Sequence, residues 1–212
     1  MATFILMYYR VKTPALLPLL TPSCTWKAKR ATDTVFLTFD DGPHPTITPW
    51  VLDQLDAFDA KATFFCIGKN VAAYPHIYEE IIKRGHSVGN HTMHHMNGWT
   101  TQRKTYLSDI DAAAKHISSH LFRPPYGKIT PFQMKALIQK GYELVMWDVL
   151  SGDFDVQLEP DVMIQQMLPQ IEAGSIVVFH DSEKAWPRLK EGLPATLTWL
   201  LEKGWKSKAY TK

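Results

Sequence analysis

The chain has 212 residues, 45% of them hydrophobic and 21% charged, a composition for one folded domain with a sizeable core rather than a disordered segment. Its formal net charge of +2, with no basic stripe interleaved with aromatics, gives no reason to expect nucleic acid as a partner. Two cysteines, Cys24 and Cys66, cannot build a disulfide framework, no CxxC pair points to a sulfur-bound metal, and no apolar run approaches the ~20 residues that cross a bilayer.

Met1 to Tyr9 is apolar but lacks a basic leader, and Arg10 and Lys12 follow at once. Leu16 to Leu20 is interrupted and flanked by Pro14, Pro18 and Pro22. An export signal is therefore not indicated, a cytoplasmic location is the expectation, and Met7 is a second candidate start. Residues 1–33 are expected to form a strap lying on the domain built from residues 34–212.

From Thr34 onward, extended apolar runs alternate with helical patterns. Val35 to Phe39 reads as a strand, followed by a helix with Ile47, Val51, Leu55 and Phe58 on one face. Ala62 to Ile67 is the next strand, Ile77, Ile81 and Ile82 belong to a helix stopped at Gly85, and Ser87 to Gly89 is a short strand. Leu107, Ile110, Ala114, Ile117 and Leu121 keep the three-four spacing of an amphipathic helix. Thr130, Pro131 and Gly141 fit the cap, first turn and end of another helix, ahead of a strand at Tyr142 to Trp147. Ile164, Leu168 and Ile171 mark a helix ended by Gly174 before a buried strand at Ile176 to Phe179. Leu193, Leu197, Leu200 and Leu201 mark the last helix, ended by Gly204 before a strand near Trp205. The alternation predicts an α/β fold with about seven parallel strands and crossover helices, nearly enough for a closed (β/α) barrel.

In such a barrel the loops after the strands converge on one mouth. Five polar clusters follow five strand ends: Asp40 and Asp41; His91, His94 and His95; Arg123 to Gly127; Asp153 and Asp155; and His180 with Asp181. Taken singly, each has a plain structural explanation. Asp40-Asp41-Gly42-Pro43 is turn chemistry, Arg123-Pro124-Pro125-Tyr126-Gly127 is a stiff turn, Asp153 could be a surface loop residue, Asp181 a helix cap and His180 a core histidine. Their coincidence at one end is what points to a site. Histidines four apart can share one helical face and reach one zinc, with His94 the spare. A carboxylate from Asp41 would complete a two-histidine, one-aspartate set with an open position for water.

The ordered motifs resemble the polysaccharide deacetylase family, also known for its NodB-homology domain and as carbohydrate esterase family four. The similarity lies in Thr38 to Pro43, Gly85 to Thr92 with His95, Arg123 to Gly127, and Ile176 to Asp181. It implies a distorted (β/α) barrel with a general base at Asp40 and a divalent metal held by Asp41, His91 and His95, zinc first, with cobalt, nickel or manganese as alternatives. It further implies that Arg123 holds Asp40, that the Tyr126 amide helps bind an oxyanion, and that His180, tuned by Asp153, is the general acid. The family's Asp-x-x-Asp-Trp pattern is altered, with Leu150 and Phe154 at its first and last positions. Phe154, Trp147 and Val178, the last replacing a usual leucine, would line the sugar pocket.

The implied substrate is an N-acetylated glycan such as chitin oligomers or peptidoglycan, and the implied reaction hydrolyses the acetamide to acetate and a free amine. Two alternatives stay open: an ester-cleaving O-deacetylase of the acetylxylan type, and a sugar-binding module without catalysis. Membrane insertion is not expected, and the sequence is silent on oligomeric state.

Overall fold

The computed structural model describes residues 9–28 and 31–211, so Met7 and nearly all of the apolar stretch from Met1 lie outside the described residues. The path begins with a short helix α1 (Leu16–Leu20) and a strand β1 (Cys24–Thr25). Strand β2 (Thr34–Asp40) leads through helix α2 (Ile47–Ala57) to β3 (Ala62–Cys66). Helices α3 (Gly68–Ala73) and α4 (Pro75–Lys83) precede β4 (Ser87–Asn90) and α5 (Arg103–Ala113). The second half runs β5 (Leu121–Phe122), α6 (Pro131–Gln139), β6 (Glu143–Val145), β7 (Val149–Leu150) and α7 (Pro160–Met167). It ends with β8 (Ile176–His180), α8 (Trp186–Glu202) and β9 (Lys206–Ser207).

The strands pair in parallel in the order β1-β6-β5-β4-β3-β2-β8-β7, with β9 joined to β2. Strands β6 and β7 stand toward opposite ends of that order, yet only residues 146–148 join them. Four residue steps span at most ~14 Å, so the sheet curls until its ends approach. The N-terminal segment lies along the seam. Lys12 bridges Val149, the Thr13 amide and hydroxyl donate to the carbonyls of Asp148 (2.8 Å) and Trp147 (2.7 Å), and β1 extends the β6 edge. The result is the distorted barrel the sequence led us to expect.

Strand alternation divides the apolar side chains between two sides. Val35, Leu37 and Phe39 of β2 join Phe64, Val177 and Phe179 under the surrounding helices. Phe36 instead packs with Phe65, Leu121, Val145, Ile176 and Tyr210. Two-residue periodicity puts Thr38 and Asp40 on the same side as Phe36, and Val178 and His180 on the same side as Ile176. The barrel interior thus turns from apolar to polar toward the strand ends, as a site there requires.

Nine strands are present among the described residues rather than about seven; β1 and β7 are two residues each, too short to show a period. The helix expected through Leu121 stops at Ala113, and Leu121 pairs with Glu143 as strand β5. Helix α7 stops at Met167, short of Leu168 and Ile171, and its buried side chains are Met163 and Met167 rather than Ile164. Gly192 of α8 explains this, since a Cβ there would stand 2.3 Å from Met163 Cε. Ile82 (49% exposed) and Leu201 (69%) face outward, not into the core. The helix-ending glycines Gly85, Gly141 and Gly204 have positive φ, 68–88°, which glycine alone adopts at no steric cost, whereas Gly174 (φ +84°) lies in the turn before β8, beyond the end of α7. No helix is long and apolar enough to cross a membrane among the described residues.

Two outcomes follow from this packing. A Cβ at Gly89 would stand 2.4 Å from Phe65 Cδ1, inside a fully buried ring. Gly89→Ala is therefore expected to cost ~2 kcal/mol in chemical denaturation, and an unchanged midpoint would show that the ring can yield. His86 is buried and accepts the Ala62 amide at Nδ1 (3.1 Å); burial, with Lys61 nearby, pushes its pKa down to about 4. The unfolded chain takes up that proton near pH 6.5 and the folded one only near 4. Its contribution is thus complete above pH ~6.5 and lost as pH falls toward 4. His86→Leu is expected to be less stable at neutral pH but to lose less stability across that window, read from melting temperature against pH; parallel slopes would exclude His86 as a source of the acid sensitivity.

Candidate active site

At the end of β2 the chain makes Asp40 the last strand residue and Asp41 the first of a turn, with φ +85° at Asp41. The turn is braced from outside. Asn70 Nδ2 donates to the Asp41 carbonyl (2.7 Å), and Asp181 accepts the Gly42 amide (3.0 Å) and the Thr48 hydroxyl. Gly42 has no room for a side chain, because a Cβ would coincide with the Asp181 carboxylate. Asp181 is thus a brace for this turn rather than a helix cap, and burial pushes its carboxyl up to about 7.

Asp40 is 4% exposed, and its Oδ1 accepts from Arg123 Nη1 (2.8 Å). Arg123 is fully buried and also donates to Thr38 Oγ1 (2.7 Å), Val145 O (3.1 Å) and Met146 O (2.8 Å), while lying over the Phe65 ring at 4.1 Å. No hydrogen bond claims the second oxygen of Asp40 among the described residues. In the β2–β8 register Asp40 is the direct partner of His180. Neighbouring strands are about 4.8 Å apart, so an anionic oxygen and an imidazole stand side by side.

His180 is held at both ends of one carboxylate. Its Nδ1 lies 2.7 Å from Asp153 Oδ1, and its amide donates to Asp153 Oδ2 (2.7 Å). Asp153 is fully buried, and Arg188 Nε donates to its carbonyl (2.6 Å). Burial alone would lower the His180 pKa, but Asp153, with Asp41 and Asp40 beyond it, outweighs burial and pushes it up to about 10. The Nδ1 contact leaves Nε2 as the nitrogen that can donate into the cavity.

Asp41, His91 and His95 converge: their ligand atoms lie within 4.8 Å of one another. Asp41 Oδ1 is 3.3 Å from His95 Nε2 and 4.0 Å from His91 Nε2, and it is buried without a hydrogen-bond partner. His91 Nδ1 meets the Arg123 carbonyl (2.7 Å), and His95 Nδ1 meets the Tyr126 hydroxyl (3.1 Å). Both rings therefore present Nε2 inward. Burial first, then the neighbouring His95, pushes His91 down to about 3; burial also lowers His95. Two neutral imidazoles and an orphaned carboxylate oxygen suit a divalent cation with nitrogen and oxygen ligands.

The histidines do not share a helical face, as their spacing suggested. Residues 91–95 are a loop in which Thr92 and His95 have φ of +67° and +55°. Two side chains that the sequence did not single out hold it. Asn90 Oδ1 accepts the Thr92 amide (2.8 Å), and Asp109, buried on α5, accepts the amides of Met93 (2.9 Å) and His94 (3.0 Å). His94 turns to Asp109 (2.6 Å), away from the ligand set. A carboxylate within the apolar stripe Tyr106, Ile110, Ala113 was the available signal for Asp109.

Around the mouth, Tyr126 adopts φ +60° and exposes its ring, and Gly127 leaves space taken by Trp147. Phe154 is half-buried with its ring 5.3 Å from that of His180. Val178, 1% exposed, sits on the barrel side two residues before His180. Asp155 is half-buried and accepts the Gln157 amide at Oδ1 (3.0 Å).

A proton acceptor and a proton donor fixed side by side at the strand ends of such a barrel are the equipment of a hydrolase. Comparison with known proteins makes this specific. Residues 27–145 match the polysaccharide deacetylase family. A peptidoglycan-N-acetylglucosamine deacetylase of Bacillus cereus is 32% identical over 189 residues, covering 86% of this chain and 88% of that protein. A chitooligosaccharide deacetylase of a Bradyrhizobium species is 35% identical over 158 residues, 71% of each chain. The crystal structure of the Bc1960 peptidoglycan N-acetylglucosamine deacetylase superposes with a TM-score of 0.82 at 26% identity, over 93% of this chain and 94% of that one. The chain belongs to the polysaccharide deacetylase family.

The Tyr126 hydroxyl, as distinct from its amide, is a feature the sequence did not reveal. Partners of a ligating imidazole's other nitrogen typically change metal affinity 10- to 100-fold. Tyr126→Phe is expected to weaken zinc binding to the metal-free protein about 10-fold by calorimetric titration, and His91→Ala to weaken it further; parental affinity in both would remove zinc from this cluster.

Proposed function

We propose that the protein is a zinc-dependent N-deacetylase that hydrolyses the acetamide of N-acetylglucosamine units in a glycan. The observation that supports it most directly is the register pairing of Asp40 with His180, each fixed by its own buried counter-charge, Arg123 and Asp153. The related proteins named above are deacetylases of peptidoglycan N-acetylglucosamine and of chitooligosaccharides.

Asp41, His91 and His95 would hold the cation, which when bound polarises the acetamide carbonyl and makes water a better nucleophile. Asp40 takes the proton from the attacking water; Arg123 fixes the carboxylate so that its free oxygen faces the cavity. The Tyr126 amide donates to the oxygen that gains charge, a contribution of ~3 kcal/mol for one well-aimed donor. His180 gives its Nε2 proton to the departing nitrogen, and Asp153 stabilises the imidazolium until then. Trp147, Phe154 and Val178 would wall the sugar and acetyl pocket.

Structural likeness alone does not secure catalysis. A family-four pseudoenzyme of Bacillus anthracis superposes with a TM-score of 0.75 at 26% identity, over 87% of this chain and 66% of that one. Here the acceptor, the donor and the three ligand atoms converge, which favours turnover over binding alone.

Acetate release from chitin oligomers, peptidoglycan fragments and acetylxylan, measured side by side with added zinc, is expected to favour the two amides. Asp40→Asn should lower kcat at least ~100-fold while zinc affinity stays within a few-fold of the parent. Preference for acetylxylan would make the protein an esterase, and undiminished turnover in the variant would remove Asp40 as the base.

A further inference from the structure

Among the described residues only three aromatic side chains are mostly exposed, Trp99 (66%), Tyr126 (60%) and Phe132 (72%). They are not scattered. All three come from two segments, residues 95–101 and 126–132, that meet on the His95 side of the mouth. The Gly98 amide donates to the Lys128 carbonyl (3.2 Å), and the Trp99 indole N–H donates to the Ile129 carbonyl (3.2 Å). Gln133, 1% exposed, donates to the carbonyls of Gly98 (2.9 Å) and Thr101 (3.4 Å) and accepts the Thr130 amide (2.8 Å). The approach is close enough that a Cβ at Gly98 would stand 2.4 Å from Lys128 O.

A large ring is thus clamped at its backbone and its only polar atom while its apolar surface stays in water. Such exposure is costly and concentrated where ligands bind. Trp99 is four residue steps from His95, so their Cα atoms are at most ~14 Å apart. Across the mouth the ring of Phe154 lies beside His180. A glycan of a few sugars seated over His95 is long enough to cover the distance to Trp99. The sugar rings of a β-linked amino-sugar chain carry their hydroxyl and amide groups around the rim, leaving flat C–H faces that stack on aromatic rings. The Lys128 ammonium, 5.4 Å from the centre of the Trp99 ring, offers a donor to that polar rim.

We infer that Trp99, supported by Phe132, is a stacking platform for glycan units beyond the one that is deacetylated, and that it makes the protein selective for longer chains. The inference rests on the proposed N-deacetylase function and deepens it, because it distinguishes an oligomer or polymer substrate from a single sugar.

The test compares the zinc-loaded parent with Trp99→Ala and Phe132→Ala, using the pentamer and dimer of N-acetylglucosamine. The expected result is a ratio of kcat/KM for pentamer over dimer about 10-fold lower in Trp99→Ala, carried by KM rather than kcat, with a smaller fall in Phe132→Ala. A ratio equal to the parent's in Trp99→Ala overturns the platform. Calorimetric binding of the pentamer separates the two readings. A parent that binds it about 10-fold more tightly than Trp99→Ala, yet releases no acetate, supports the platform and sinks the deacetylase. A pentamer that binds parent and Trp99→Ala equally, or neither, overturns the platform whatever the turnover. Both side chains are exposed, so unchanged melting temperatures are expected and confirm that the variants are folded.

Discussion

The Arg123 guanidinium, fully buried at the centre of the barrel mouth, is the constraint on which the site depends. Removing such a charge from water costs several kcal/mol unless an opposite charge and enough hydrogen-bond acceptors replace the solvent. Here Asp40 supplies the charge, and Thr38, Val145 and Met146 supply the other acceptors. Those partners come from β2, β6 and the segment after β6, so the cation ties the two halves of the barrel at the level where chemistry occurs. Its carbonyl also fixes the His91 ring. One residue therefore positions the Asp40 carboxylate through its side chain and the His91 ring through its backbone.

The remaining electrostatics follow from where the carboxylates lie. Asp40, Asp41 and Asp153 are gathered within the same mouth, and each has a different counterpart. Arg123 answers Asp40, and the His180 imidazole answers Asp153. Asp41 Oδ1 is buried without a hydrogen-bond partner, beside two imidazoles whose pKa burial lowers. An unpaired oxygen costs free energy that a bound cation would offset. The three carboxylates are therefore set apart by environment, not residue type.

Much of this was legible from the sequence because strand ends are marked by abrupt changes from apolar to polar residues. Phe39 to Asp40 and Phe179 to His180 are such steps, and the register then brings them together. The glycines that end helices were legible for a related reason: only they take the left-handed conformation cheaply. What could not be read depends on distant partners. Leu121 continues a helical period from Leu107, yet Glu143 draws it into the sheet; β1 and β7 exist only through their neighbours; Met163 is buried because Gly192 gives way. Asn70 and Asp109 carry no motif, and Asn90 was read only as part of a longer run; their importance lies in which amides and carbonyls they reach.

The loop that presents His91 and His95 shows why spacing alone misled. A helix would place histidines four apart on one face without strain, whereas here the chain bends through residues of positive φ. Of the five non-glycine residues with positive φ among the described residues, four are Asp41, Thr92, His95 and Tyr126; only Asp59 lies elsewhere. Each such conformation costs on the order of 1 kcal/mol or more for a residue with a Cβ. Strain of this kind persists only where surrounding contacts over-determine the backbone, and the contacts are visible: Asn70 on Asp41, Asn90 on Thr92, Asp109 on the following amides, and the Tyr126 hydroxyl on His95. The bent backbone lets ligands from two separate loops aim at one point. Stability elsewhere in the barrel, from its apolar interior and its buried Arg123 network, maintains that geometry.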